Sequence, residues 1–186
     1  MRFSFILLAG GNSNRFKSNL PKPYHKIAGK TLIELSINKI RQFKELNKIV
    51  IVCNKKHLKF LKDINLKNIK IINGGITRQQ STYNALNYLN KIKGVKKVLI
   101  HDAARPNFSK NLIKNILNKA KTNNVVIPVL KLQDALKEKK GKDKFLSLKR
   151  NSYFLTQTPQ CFEFNKIFFY HKKKKNIYKD DDLSLI

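Results

Sequence analysis

The residues best suited to chemistry in this chain form a loop of small side chains followed closely by two cations. Ala9, Gly10, Gly11, Asn12 and Ser13 lead to Arg15, and then to Lys22 within Pro21-Lys22-Pro23-Tyr24. Glycines leave backbone N–H groups open to a phosphate, because no side chain intervenes. An arginine and a lysine a few residues on place fixed positive charge where a triphosphate would lie. The spacing is not that of an ATPase P-loop, which needs Gly-Lys followed by Ser or Thr at the start of the helix. Three more segments have the same character. Gly74-Gly75-Ile76-Thr77-Arg78-Gln79-Gln80-Ser81 joins a glycine pair to polar residues that open a helix, and a helix N-terminus favours anions. His101-Asp102-Ala103-Ala104-Arg105-Pro106 sets a carboxylate beside small residues, which suits Mg²⁺ held jointly with substrate phosphates. The fourth is Thr156-Gln157-Thr158-Pro159-Gln160, preceded by Arg150.

Taken singly, each segment also has a structural reading. Asp102 would cap a turn, Arg105 would sit in a surface ion pair, and Arg78 would be an exposed first-turn residue. Thr158-Pro159 would be a turn, Asp180-Asp181-Asp182 a solvated cluster, and His101 a strand-end packing residue with no second ligand at metal spacing. Their occurrence together, in order and at the ends of predicted strands, favours the chemical reading.

The elements that must position them follow from hydrophobic patterning. Phe3 to Leu8, Ile49 to Val52, Ile69 to Ile72, Val98 to Ile100 and Val125 to Ile127 read as buried strands. Between them, Thr31 to Phe43, Thr77 to Leu89 and Leu112 to Ala120 carry apolar residues at helical spacing, and His57 to Leu61 predicts a short helix. Strands alternating with helices predict an α/β fold with a mostly parallel sheet covered by helices. Open sheets of this kind hold ligands at the carboxyl ends of their strands. From about residue 130 to 150 the pattern gives way to charge, which predicts a protruding arm or hairpin within a single domain spanning 1–186.

Composition narrows the class. The 186 residues are 41% hydrophobic, enough for one α/β domain with a core. No apolar run is long enough to span a bilayer and no signal-peptide pattern stands at the start, so a cytoplasmic location and no membrane partner are expected. Cys53 and Cys161 have no metal or disulfide spacing and read as reduced core thiols. The formal charge is +29, yet only six of the 40 basic residues are arginine. Lysine scattered along the chain with abundant asparagine and isoleucine reads as compositional bias, so nucleic acid is not an expected partner. The positive field would still attract phosphorylated metabolites.

The opening loop with Pro-Lys-Pro-Tyr, the Gly-Gly-Ile-Thr-Arg-Gln-Gln-Ser segment, His-Asp-Ala-Ala-Arg-Pro and Gln-Thr-Pro-Gln together resemble the 2-C-methyl-D-erythritol 4-phosphate cytidylyltransferase family, from about Phe3 to the last residue. The resemblance implies a Rossmann-like nucleotidyltransferase fold and Mg²⁺-dependent transfer of CMP from CTP to methylerythritol phosphate, releasing pyrophosphate. It implies catalytic roles for Arg15 and Lys22, and a CTP site lined by Ala9, Gly10, Gly11, Asn12, Ser13, Gly75 and Ser81. It further implies a metal at Asp102, and methylerythritol phosphate held by Arg105, Arg150 and Thr158, with the arm carrying Arg150 reaching across a homodimer. Two alternatives remain open: a cytidylyltransferase for another polyol phosphate such as ribitol phosphate, against which His-Asp-Ala-Ala-Arg-Pro weighs, and a non-catalytic basic nucleotide- or RNA-binding relic.

The chain departs from the family pattern in four places. Pro23 replaces a glutamine and is expected to hold Lys22 extended. Ala135 follows Asp134 where the family has threonine, and Asp180 stands where a threonine is usual. The family also continues beyond the equivalent of Ile186 with a strand, a helix and a substrate-positioning lysine, so a fragment or a shortened enzyme of weak activity is expected.

Overall fold

The computed structural model describes residues 2–11, 18–174 and 181–186. Ten strands and four helices matter here. In chain order they are β1 (Phe3–Leu8), α1 (Leu32–Ile40), β2 (Leu46–Cys53), β3 (Ile69–Asn73), α2 (Arg78–Asn90), β4 (Lys97–Asp102), α3 (Lys110–Lys119), β5 (Val125–Val126), β6 (Val129–Lys131), β7 (Leu136–Lys139), β8 (Phe145–Leu148), β9 (Phe154–Thr156), β10 (Gln160–Glu163) and α4 (Phe164–Lys173).

Six strands form the main sheet in the order β3-β2-β1-β4-β10-β5. The pairs β1–β2, β1–β4 and β2–β3 are parallel. Strand β10 runs antiparallel to both β4 and β5. The sheet is therefore mostly parallel with one reversed strand. Alternation along β1 builds two cores. Phe3, Phe5 and Leu7 face one side, where Ile33, Ile37 and Ile40 of α1 and Ile113, Ile116 and Leu117 of α3 cover them. Ile6 faces the other, with Ala85, Leu86 and Leu89 of α2 and Phe164 and Ile167 of α4. Each of the fully buried Phe, Leu and Ile side chains stabilises the fold by about 1.5–3 kcal/mol relative to exposure. The helices thus lie on both faces, as the patterning predicts.

The helix starts are specified locally. Thr31 caps α1 by accepting from the Glu34 N–H, Thr77 caps α2 by accepting from Gln80, and Ser109 caps α3 by accepting from Leu112. The first two place Glu or Gln three residues after the cap, the capping-box spacing. Chain order reverses between β1 and β4, so their carboxyl ends frame the switch point. There Leu8 stands opposite Asp102.

The short helix expected over His57 to Leu61 is present as a 3₁₀ helix, Lys55–Leu61. Two other points differ from the sequence reading. Gln160–Glu163, not predicted as a strand, is buried between β4 and β5. Lys22 is not held extended, because it opens a 3₁₀ turn with Pro23 and Tyr24. Proline tolerates that position, since its missing N–H is unpaired in a first turn anyway. The arm is a double ribbon in which β6 pairs with β9 and β7 with β8, all antiparallel.

Candidate active site

The strand ends are tied to one another before any side chain is considered. The Ala9 N–H donates to Val52 O at 2.7 Å, the Ala103 N–H to Leu8 O at 3.0 Å, and the Gly74 N–H to Cys53 O at 2.9 Å. These bonds gather the ends of β1, β2, β3 and β4 around a cleft of about 220 Å³ lined by Leu8, Gly10, Gly11, Gly75, Ile76, Thr77, Arg78, Ser81 and Asp102. Ala9 itself is buried, and its carbonyl accepts from the Tyr24 hydroxyl at 3.2 Å. That bond fastens the glycine loop to the turn bearing Lys22, which is exposed.

The second glycine segment is shaped by its own helix. Ser81 Oγ accepts from the Gly75 N–H at 3.0 Å, and Gln80 Oε1 accepts from the Ile76 N–H at 2.9 Å. A Cβ on Gly75 would come within 2.3 Å of Gln80 Cγ, so only glycine lets this side chain fold back over the loop. Ser81 accordingly lines the cleft while also bracing Gly75.

Asp102 ends β4 with its side chain 29% exposed, its two oxygens facing different arginines. Oδ2 lies 3.1 Å from Arg105 Nε and Oδ1 lies 3.4 Å from Arg78 Nε. Arg78 then reaches past it to Asp182, whose Oδ2 accepts from Nη1 at 2.7 Å. Asp182 is 1% exposed, and its other oxygen accepts from His171 Nε2 at 3.0 Å. Burial works against the Arg78 charge, but Asp182 and then Asp102 outweigh it and raise the guanidinium pKa. Burial likewise works against the Asp182 charge, and the His171 hydrogen bond with the nearby Arg78 charge holds its carboxyl below the usual range. This chain of groups was not foreseen from the sequence. Arg78 is neither a plain exposed residue nor a bystander, and Asp182 is the reverse of solvated. The one signal pointing to Arg78 was an arginine at a motif position in a lysine-rich chain.

His101, one residue earlier, is wholly buried. Its Nε2–H donates to Arg105 O at 3.0 Å, which leaves Nδ1 to accept from the Thr158 hydroxyl at 2.8 Å. Burial drives its pKa down to about 4, against the upward pull of Asp102. It is a neutral clamp, as the structural reading of His101 holds. Thr158 is thereby brought beside the Asp102 loop, and the Thr158–Pro159 bond is cis. Arg105 is half-exposed and also donates to Gln157 Oε1 at 3.3 Å.

Arg150 is not among the residues lining this cleft. It lies in the arm, donates to Gln133 O, and borders a separate cleft with Lys131, Tyr153 and Phe154. Asn12, Ser13, Arg15 and Asp180 lie outside the described residues. Cys53 and Cys161 are buried free thiols, pushed up by burial to about 11 and about 12.

Among the described residues no three His, Cys, Asp or Glu side chains gather as a metal cage. The donor set still fits Mg²⁺, which is typically held by one or two carboxylates plus substrate phosphates and water. Asp102 is a single hard oxygen donor open to a glycine-lined cleft.

A mostly parallel sheet with a glycine-lined cleft and one carboxylate at its switch point has the architecture of a Rossmann-like nucleotidyltransferase. The sequence model of IspD, 2-C-methyl-D-erythritol 4-phosphate cytidylyltransferase, matches residues 3–186. The chain belongs to this family. It is 48% identical over 181 residues to the bifunctional enzyme IspD/IspF of Pelagibacter ubique, covering 97% of this chain and 48% of that protein. The chain thus spans about half the length of that relative. It is 34% identical over 185 residues to the 2-C-methyl-D-erythritol 4-phosphate cytidylyltransferase of Thermosipho africanus, covering 95% of this chain and 80% of the other. The crystal structure of 4-diphosphocytidyl-2C-methyl-D-erythritol synthase from Anaerococcus prevotii superposes with a TM-score of 0.84 at 29% identity, covering 99% of this chain and 80% of that one.

Proposed function

We propose that this chain transfers CMP from CTP to 2-C-methyl-D-erythritol 4-phosphate in the cytoplasm, with Mg²⁺ at Asp102. The observation that carries the reading is Asp102 at the switch point, opening into a cleft built from both glycine loops. A phosphate oxygen of the acceptor attacks the α-phosphorus of CTP, the new P–O bond forms, the α–β bridge breaks, and pyrophosphate leaves with the electron pair. That nucleophile is already an anion, so the site needs no strong general base. Its tasks are to position two anions and to set cations where charge gathers. Gly10, Gly11 and Gly75 admit the triphosphate closely, Ser81 fixes the Gly75 backbone, and Lys22 with Arg15 supplies charge to the phosphates. Mg²⁺, when bound, neutralises triphosphate charge. Arg105, paired with Asp102, receives the acceptor phosphate; Thr158, whose hydroxyl proton goes to His101 Nδ1, borders that site.

Arg150 in the arm would serve the same substrate in a partner's site. Support comes from the arm's surface, where Val129, Leu130, Phe145, Leu146, Phe154 and Leu155 are each about half-exposed or more; they alternate between the two faces of the ribbons, and the cross-strand pair Leu130 and Leu155 offers apolar surface on one of them. We therefore propose a homodimer joined through the arm.

Pyrophosphate release is the test. It is expected to require Mg²⁺, CTP and methylerythritol phosphate together, and to fall on the order of 10²-fold in Lys22→Ala. Release with CTP alone, or an unaffected variant, would contradict the reading.

A further inference from the structure

The buried carboxylate of Asp182 has no place in the mechanism above, yet it makes the shorter contact to an arginine that also touches Asp102. We propose that Asp182 is a positioning residue: it holds the Arg78 guanidinium back from Asp102 and so keeps the Asp102 carboxylate available to a divalent cation. This rests on the reading of Asp102 as the cation-binding residue.

The geometry is unequal in a telling way. Arg78 Nη1 lies 2.7 Å from Asp182 Oδ2, whereas its Nε lies 3.4 Å from Asp102 Oδ1. A guanidinium presents a rigid fork that closes on a carboxylate with two parallel bonds when free to do so. Here that fork is divided between two carboxylates, and the buried one takes the better bond. Asp182 cannot turn away, because His171 holds its other oxygen. Its segment is anchored as well. Asp181 Oδ2 accepts from Gln160 Nε2 at 3.2 Å, Asp181 Oδ1 accepts from the Ser184 N–H at 2.9 Å, and Lys174 Nζ donates to Leu185 O at 2.7 Å.

The charge balance has the same sense. Asp102 already faces Arg105 at 3.1 Å. A second guanidinium in full contact would leave one negative charge shared between two positive ones, and a divalent cation would have to displace one of them. Asp182 supplies the missing negative charge to Arg78, so Asp102 keeps most of its own. Loss of the Asp182 charge would let Arg78 close on Asp102 and compete with the metal.

The test is a calorimetric titration of the full chain with CTP, first in EDTA and then with Mn²⁺ as the cation, without acceptor. The readout is the enhancement of CTP affinity by Mn²⁺. Asp182→Asn is expected to leave CTP affinity in EDTA within about twofold while cutting the Mn²⁺ enhancement roughly tenfold, the scale of one partly screened charge contact. Asp182→Asn combined with Arg78→Met removes the competing cation as well, and the enhancement returns. A merely structural role for Asp182 would lower both affinities together and would not be rescued by the second change, and that result would overturn the proposal. So would full enhancement in Asp182→Asn. Should Asp182→Asn fail to fold, Arg78→Lys carries the test. Lysine can pair with Asp182 but has no fork to span both carboxylates, so the enhancement is expected to be at least that of the unaltered chain, and its loss would overturn the proposal. Asp102→Asn separates the two readings. Enhancement that survives this change overturns the assignment of Asp102, whereas enhancement lost in Asp102→Asn but intact in Asp182→Asn overturns only the role of Asp182.

Discussion

His101 shows how much of this site is decided by individual hydrogen bonds. Both ring nitrogens are committed, one to Arg105 O and one to the Thr158 hydroxyl, and the ring is fully buried. Its pKa, near 4 in the folded chain and about 6.5 when unfolded, gives stability a defined pH dependence. Above pH 6.5 both states are neutral and nothing changes. As pH falls below 6.5 the unfolded chain takes up a proton that the folded chain refuses, so stability is lost until about pH 4, by up to about 3 kcal/mol. His101→Gln is expected to be less stable at pH 7 but to lose less between pH 7 and pH 5, checked by urea midpoints at the two values. An unchanged slope would mean that the imidazole is accessible to protons. At this scale the sequence was informative about residue types and silent about partners. That Asp102 borders a cleft was legible from its segment standing at a predicted strand end in order with the other three, not from the residue alone. The pairing of Arg78 with Asp182 spans 104 positions and depends on where the last segment docks, which no local pattern records.

At the scale of elements, the entrance of α2 unites cap, glycine and cleft. Thr77 caps the helix, Gln80 folds back to the Ile76 N–H, and Ser81 braces Gly75. Gly75→Ala would push Gln80 aside and free that N–H. Because Gln80 is exposed, the melting temperature is expected to change little, while KM for CTP rises roughly fivefold, the scale of one misplaced hydrogen bond. Equal KM values would show that the loop does not meet the nucleotide. The parallel strands were legible because β-branched and apolar residues run together wherever both faces are buried. Strand β10 was not, because Gln160-Cys161-Phe162-Glu163 is short, follows a proline, and has polar ends. It is a strand because it fills the slot between β4 and β5. The arm was legible as a charged interruption, but its double-ribbon pairing was not, since its lysines alternate with apolar residues that stay exposed.

On the scale of the whole molecule, a net charge of +29 and an arm with apolar faces are the dominant surface features. A positive field of this size would attract phosphorylated metabolites without specifying them. The arm is the structural candidate for assembly. Leu130 and Leu155 are cross-strand partners, and both are half-exposed. Replacing both with glutamate would put like charges on that face; under the proposed dimer, in which Arg150 serves the partner's cleft, the chain is expected to run as a monomer by light scattering with much reduced turnover. A dimer that survives the change would place the interface elsewhere. Among the described residues no helix is long and apolar enough to cross a membrane.

The most direct test of the proposed chemistry is ³¹P NMR of the chain incubated with Mg²⁺, CTP and methylerythritol phosphate. The expected result is loss of the phosphomonoester resonance, matched by a pair of coupled diphosphate resonances from a cytidine diphosphate ester and by free pyrophosphate. Release of CMP with the phosphomonoester left intact would mean that water, not the acceptor phosphate, reaches the α-phosphorus, and would contradict a transferase built around Asp102.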